Sequence, residues 1–188
     1  LRDVKNPDAV SAFAVALGLV RYTEAADDLR RMLAKSINKD NLAGYICIGL
    51  ALMNDKRSME DIRFIVQRST RRPELLKQAA IALGKLGDKP VATMLENMLS
   101  EGDTNLTKMA AIASALGLIG DRRSITPLKN ILRDTSLTDL SRAFSAVALG
   151  GVGDKELLPW NSKIAQNMNY RASVETLTDR YAGILDIL

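Results

Sequence analysis

Hydrophobic positions along this chain fall three and four residues apart in short segments divided by polar stretches, which is helical rather than strand spacing. Asn6-Pro7-Asp8 reads as a helix start, with Asn at the cap and Pro at the first helical position. The helix that follows runs to about residue 20, and Ala12, Phe13, Ala16, Leu17 and Val20 are expected to form its buried face. Thr23-Glu24 opens a second helix with Ala26, Leu29, Met32 and Leu33 on its apolar side. The same alternation continues. A helix over 41–53 precedes one over 57–68 that carries Met59, Ile62, Ile65 and Val66. Pro73-Glu74 opens the next pair, whose second helix carries Val91, Leu95, Met98 and Leu99. A further pair ends in Ile125, Leu128, Ile131 and Leu132, and Ser136 to Asp139 has capping-box spacing for the helix after it.

The segments are copies of one unit. Ile81-Ala-Leu-Gly-Lys-Leu-Gly-Asp88 returns 33 residues later as Ser114-Ala-Leu-Gly-Leu-Ile-Gly-Asp121, and after another 33 as Val147-Ala-Leu-Gly-Gly-Val-Gly-Asp154. Stepping backwards reaches Ile48 to Asp55 and Val15 to Tyr22. Repeats are therefore expected at 7–38, 39–71, 72–104, 105–137 and 138–170, with a helical half-repeat over 171–188. One such helical hairpin cannot hide its apolar face from water, whereas stacked copies bury it between neighbours. The expected fold is all-α: a single-domain α-solenoid, a right-handed superhelical stack of about five and a half helix-turn-helix repeats.

The repeat columns have physical readings. Ala14, Cys47, Ala80, Ala113 and Ala146 form one small-residue column, and Ala16, Gly49, Ala82, Ala115 and Ala148 another, so adjacent helices can approach closely. Asn54, Gly87, Gly120 and Gly153 follow the first helix, where a left-handed residue stops it. Asp55, Asp88, Asp121 and Asp154 come next and suit the cap of the second helix.

The pattern Ala-Leu-Gly-x-Leu/Ile/Val-Gly-Asp followed by an apolar second helix resembles the short HEAT-like repeats typified by phycobilisome lyases. The resemblance covers residues 7–188 and is closest in the third to fifth repeats. It implies binding of other macromolecules, with the second helices lining a concave surface. Some relatives are enzymes: the deoxyhypusine hydroxylases bind iron through His-Glu pairs, for which this chain has no His. Bilin lyases offer no motif that maps onto residues here, so a bilin or small-ligand lyase stays an alternative by resemblance alone.

Composition narrows the chemistry. With no His and one Cys, the chain lacks the means for an internal disulfide, a His-based zinc site, or a Ser-His-Asp or Cys-His nucleophile. No catalytic, metal or cofactor residue is assigned, and a non-enzymatic role is expected. The net charge of +4 is a weak argument for nucleic acid. No apolar run reaches the length of a membrane span. A first residue other than Met leaves a removed targeting segment open; without one the cytoplasm, and a monomer, are expected.

Two surfaces compete as binding sites. On the side of the second helices away from their core residues, one column reads Asp28, Asp61, Met94, Pro127, Trp160 and another Arg31, Phe64, Asn97, Asn130, Lys163. The columns lie three residues apart and share a face. Phe64, Met94 and Trp160 are expected to be exposed anchors for a protein or peptide partner, with Arg31, Asn97, Asn130 and Lys163 as polar contacts. Trp160 has a second reading, packed under the half-repeat, because Asn161 breaks the pattern beside it. The alternative is a nucleic-acid edge made of Lys56, Lys89, Arg122 and Lys155 with Arg71 and Arg72 of the 69–74 loop. Each ladder cation follows an Asp, which would neutralise the strip, and no aromatics interleave with the Arg68-Arg71-Arg72 cluster.

Overall fold

Asn6 starts the first helix as its sequence requires: its side-chain oxygen accepts from the Asp8 N–H at 2.9 Å, and Pro7 follows at the first helical position. From there the computed structural model describes residues 6–103 and 105–153. Among them are nine α-helices and no strand: α1 Pro7–Leu19, α2 Ala26–Ser36, α3 Asp40–Leu52, α4 Met59–Arg68, α5 Pro73–Leu86, α6 Pro90–Ser100, α7 Leu106–Ile119, α8 Ile125–Arg133 and α9 Asp139–Gly153. Short 3-10 turns at Thr23–Ala25, Lys56–Ser58 and Arg122–Ser124 lead into α2, α4 and α8. The half-repeat, Asp154, Lys155, Trp160 and Lys163 lie outside the described residues.

Helix packs on helix in repeat register, the arrangement of an α-solenoid. By contacts the chain divides into two compact units, Leu1–Leu95 and Glu96–Leu188. In the first, α1 packs on α3 and α3 on α5, while α2 lies on α3 and α4 on α5. In the second, α7 and α8 both pack on α9. Leu29, Ile62, Leu95 and Leu128 hold one column of the second helices and are all fully buried.

The small columns set the spacing of the first helices. A Cβ added to Gly49 would lie 2.4 Å from the Ala14 carbonyl oxygen, and one on Gly117 would lie 3.1 Å from the Gly151 Cα. Ala14, Cys47, Ala80, Ala82, Ala113, Ala115 and Ala148 are buried as expected; Ala16 and Ala146 are exposed. The left-handed stop is also present, at Asn54 (φ 60°), Gly87 (85°) and Gly120 (65°). Arg21 (φ 54°) takes the same conformation in the first repeat without glycine's freedom from Cβ strain. Gly153 departs from its column and is the last residue of α9.

The predicted core of α1 is wrong. Val10, Ser11, Ala14 and Gly18 are buried, whereas Ala12 and Ala16 are exposed, Leu17 is half-buried, and Phe13 and Val20 are 50% and 73% exposed. One repeat on, Ile46, Gly49, Leu50 and Met53 stand at the positions of Phe13, Ala16, Leu17 and Val20, and all four are buried. The difference is a neighbour: α1 and α2 pack on α3, and no described hairpin lies on the corresponding side of α1. The capping box is corrected too. Thr138 Oγ1, not Ser136, accepts from the Ser141 N–H at 3.2 Å, while Ser136 donates to Asp134.

Equivalent positions should therefore respond unequally. Ile46→Ala is expected to lower stability by about 3 kcal/mol in urea denaturation, and Phe13→Ala by less than about 1 kcal/mol. Arg21→Gly should raise it by roughly 0.5–1 kcal/mol, because glycine adopts the left-handed turn without strain.

Candidate interaction surface

Between the left-handed stop and the second helix stands the Asp column, and two of its described members cap as expected. Asp88 Oδ1 accepts from the Val91 N–H at 3.1 Å, and Asp121 Oδ1 from the Arg123 N–H at 2.9 Å. Asp55 makes no side-chain cap bond; only its backbone carbonyl serves the turn, accepting from the Ser58 N–H at 3.1 Å and hydroxyl at 2.7 Å.

The carboxylates have a second role that the sequence reading missed. Asp88 is completely buried, and its Oδ2 accepts from Arg63 through Nε at 3.1 Å and through Nη2. Asp55 receives Arg57 Nε at 2.9 Å and forms an ion pair with Arg30 Nε at 3.2 Å. Arg30 and Arg63 occupy one repeat column, 25 residues before their carboxylates, so each pair joins one second helix to the turn of the next repeat. A basic column 25 residues ahead of the Asp column was the available signal.

The column changes character at its third position, where Glu96 stands. Its carboxyl is buried and faces Ser124, Asp121 and Arg123. Burial chiefly holds it above the ordinary value of 4.5; Ser124 draws it down, Asp121 raises it further and Arg123 offsets part of that rise.

The outward columns of the second helices emerge unevenly. Phe64 on α4 is 46% exposed, although Ile62, Ile65 and Val66 beside it are buried. Arg31 on α2 is exposed and paired with Asp28. Asn97 on α6 and Asn130 on α8 are exposed. Met94, expected as an exposed anchor, is half-buried instead. Within Leu1–Leu95 the exposed members are thus Arg31, Asp61 and Phe64, and among the described residues of Glu96–Leu188 they are Asn97 and Asn130.

The basic edge also differs from expectation. Lys56, Lys89 and Arg122 are exposed, and Asp55, Asp88 and Asp121 form ion pairs with Arg30, Arg57, Arg63 and Arg123. Arg71 is exposed, whereas Arg72 is a structural tie: its Nη1 donates to the Ile37 carbonyl at 2.5 Å and pairs with Asp40 at 3.1 Å. An aromatic ring does accompany the Arg cluster. The Arg68 guanidinium carbon stands 5.2 Å from the Phe64 ring centroid, within cation–π range.

Cys47 is fully buried, and burial pushes its thiol up to about 12, far from a reactive thiolate. Among the described residues no three His, Cys, Asp or Glu side chains are grouped to hold a metal ion, and no helix is long and apolar enough to cross a membrane.

A family model described as PBS lyase HEAT-like repeat matches residues 110–134, the segment from α7 through α8. No curated protein and no solved structure matches the chain.

The inter-repeat pairs predict an order of effects. Arg63→Ala should cost about 3 kcal/mol by leaving the buried Asp88 carboxylate short of its charge partner, and Arg30→Ala less, because Arg57 still serves Asp55. Urea denaturation of both variants checks the ranking.

Glu96 predicts a pH dependence. A carboxyl with a raised folded-state pKa stabilises fully below its unfolded value, and that contribution is lost as pH rises through the folded value. Glu96→Gln should therefore gain little in melting temperature near pH 4 and progressively more towards neutrality. An equal difference at both ends would show that the carboxyl titrates normally.

Proposed function

Because the chain is a HEAT-like repeat protein, and such repeats generally mediate protein interactions, we propose that it is a non-catalytic module gripping a partner protein or peptide on the outward face of its second helices. Phe64 carries this reading: a large apolar ring stays half in water on a helix whose other face is fully buried. Arg31 lies in the Phe64 column one repeat earlier, and within residues 96–188 the exposed Asn97 and Asn130 hold the equivalent sequence positions. Trp160 and Lys163 extend the proposal into residues outside those described. The non-catalytic part rests on the absence of His and on the inert state of Cys47. A lyase-like, ligand-handling role is the second reading, supported by the description of the matching family and by no residue here; an absorbance change on adding a bilin would favour it.

Affinity capture from a source-cell extract, treated with nuclease and run at low and moderate salt, tests the proposal. A protein retained by the wild type at both salts and lost with a folded Phe64→Ala, Asn97→Ala, Asn130→Ala variant is the expected result. Retention by that variant removes the assignment to this face, and a catch abolished by nuclease transfers it to the basic edge.

A further inference from the structure

The positive charge of the chain is concentrated. Residues 1–95 hold 16 Lys and Arg against 11 Asp and Glu, whereas residues 96–188 hold 10 against 11. Part of the excess lies at the C-terminal ends of α2 and α4. Lys35 and Arg68 share one repeat column, Arg71 follows in the next loop, and all three are exposed. Among the described residues no carboxylate forms an ion pair with them. The next two members of the column are Glu101 and Asp134, so this basic end belongs to the first two hairpins alone.

The two loops involved are tied together. Arg72 reaches from the loop after α4 to the Ile37 carbonyl of the loop after α2 and to the Asp40 carboxylate at the start of α3, which brings the basic ends of α2 and α4 to one side. One helical turn before Arg68, the exposed Phe64 ring lies under its guanidinium. At the other end of α4 the sign reverses, with Glu60 and Asp61 exposed in its first turn. Along α4 the surface therefore runs acidic, aromatic, basic.

We propose that this surface docks a peptide segment of a partner protein in which a large apolar side chain is followed by a cluster of acidic residues. The inference rests on reading the second-helix face as a binding surface, and it names the partner's chemistry. The apolar group packs against Phe64, the only exposed large hydrophobic residue of α4. The acidic residues meet Lys35, Arg68 and Arg71, where complementary charge steers encounter and sets orientation. A nucleic-acid strand fits less well. It needs a continuous positive track with successive aromatic platforms. Here there is one ring, and Glu60 and Asp61 close the track on one side.

The test is selection of a phage-displayed random twelve-residue peptide library on the full 188-residue chain. A synthetic, labelled copy of the leading peptide and a labelled single-stranded oligonucleotide are then measured by anisotropy. Enriched peptides are expected to share an apolar residue flanked on one side by Asp or Glu. Arg68→Glu combined with Arg71→Glu should weaken the synthetic peptide at least tenfold. So should Phe64→Ala, while Lys85→Glu, an exposed charge at the opposite end of α5 from the Arg71 loop, leaves it unchanged; melting curves show that each variant folds. Binding that depends on Phe64 but not on Arg68 and Arg71, or enrichment of basic or uncharged peptides, overturns the acidic partner and keeps the face. No enrichment, or binding indifferent to Phe64, overturns both readings. An oligonucleotide that displaces the peptide overturns the peptide class.

Discussion

The structure depends on a requirement placed on the first helix of each repeat: it must be covered on both sides. In α3, the buried residues Leu42, Ala43, Gly44, Cys47, Gly49 and Ala51 spread over more than half of the helix circumference, which no single hairpin can accomplish. Coverage comes from α1 and α2 on one side and α5 on the other, and it is close because Gly49 presents no side chain to the Ala14 backbone. A bulky residue in that column would push the two first helices apart and open the Leu and Ile contacts around them. The small columns and the large ones are thus one device, in which the former set the approach that lets the latter bury.

Much of this architecture was legible because it is local and recurs. A left-handed stop needs Gly or Asn, and a cap needs a short polar side chain; both can be read from one repeat and checked in the next, as Gly87 with Asp88 and Gly120 with Asp121 show. Periodicity identifies which face is apolar but not whether anything lies against it. Phe13, Leu17 and Val20 have the spacing of Ile46, Leu50 and Met53 and a different fate, because burial there belongs to the neighbour rather than to the helix. Met94 illustrates the complementary limit: an outward column position was expected to be open, yet it is half-buried, and the column alone does not say so.

The Arg–Asp pairs were illegible for a related reason. Arg63 and Asp88 are 25 residues apart, and only the stacking register of two hairpins brings a guanidinium on α4 to the turn before α6. Asp55 shows how that register alters a local role: with Arg30 and Arg57 on its carboxylate, the side chain makes no cap bond and the turn relies on its backbone carbonyl. Capping and inter-repeat pairing draw on the same acceptor oxygens. Asp88 satisfies both by giving one oxygen to each.

The distribution of variation among the columns follows from these demands and indicates where function can reside. Leu29, Ile62, Leu95 and Leu128 remain aliphatic because the stack closes over them. Arg31, Phe64, Asn97 and Asn130 stand two residues further along the same helices and pass from cation to aromatic ring to amide, since packing asks nothing of their exposed side chains. Glu96 marks the reverse situation. It occupies a position where Arg30 and Arg63 bind a carboxylate, yet it brings a second acid towards Asp121, and burial keeps its carboxyl reluctant to ionise. A stack whose pairing column accepts such a change does not take its stability from ion pairs alone; it takes it first from the apolar columns, which do not change sign from repeat to repeat. The charged columns are consequently free to differ between hairpins, and that freedom allows the first two to end in Lys35 and Arg68 where the next two end in Glu101 and Asp134.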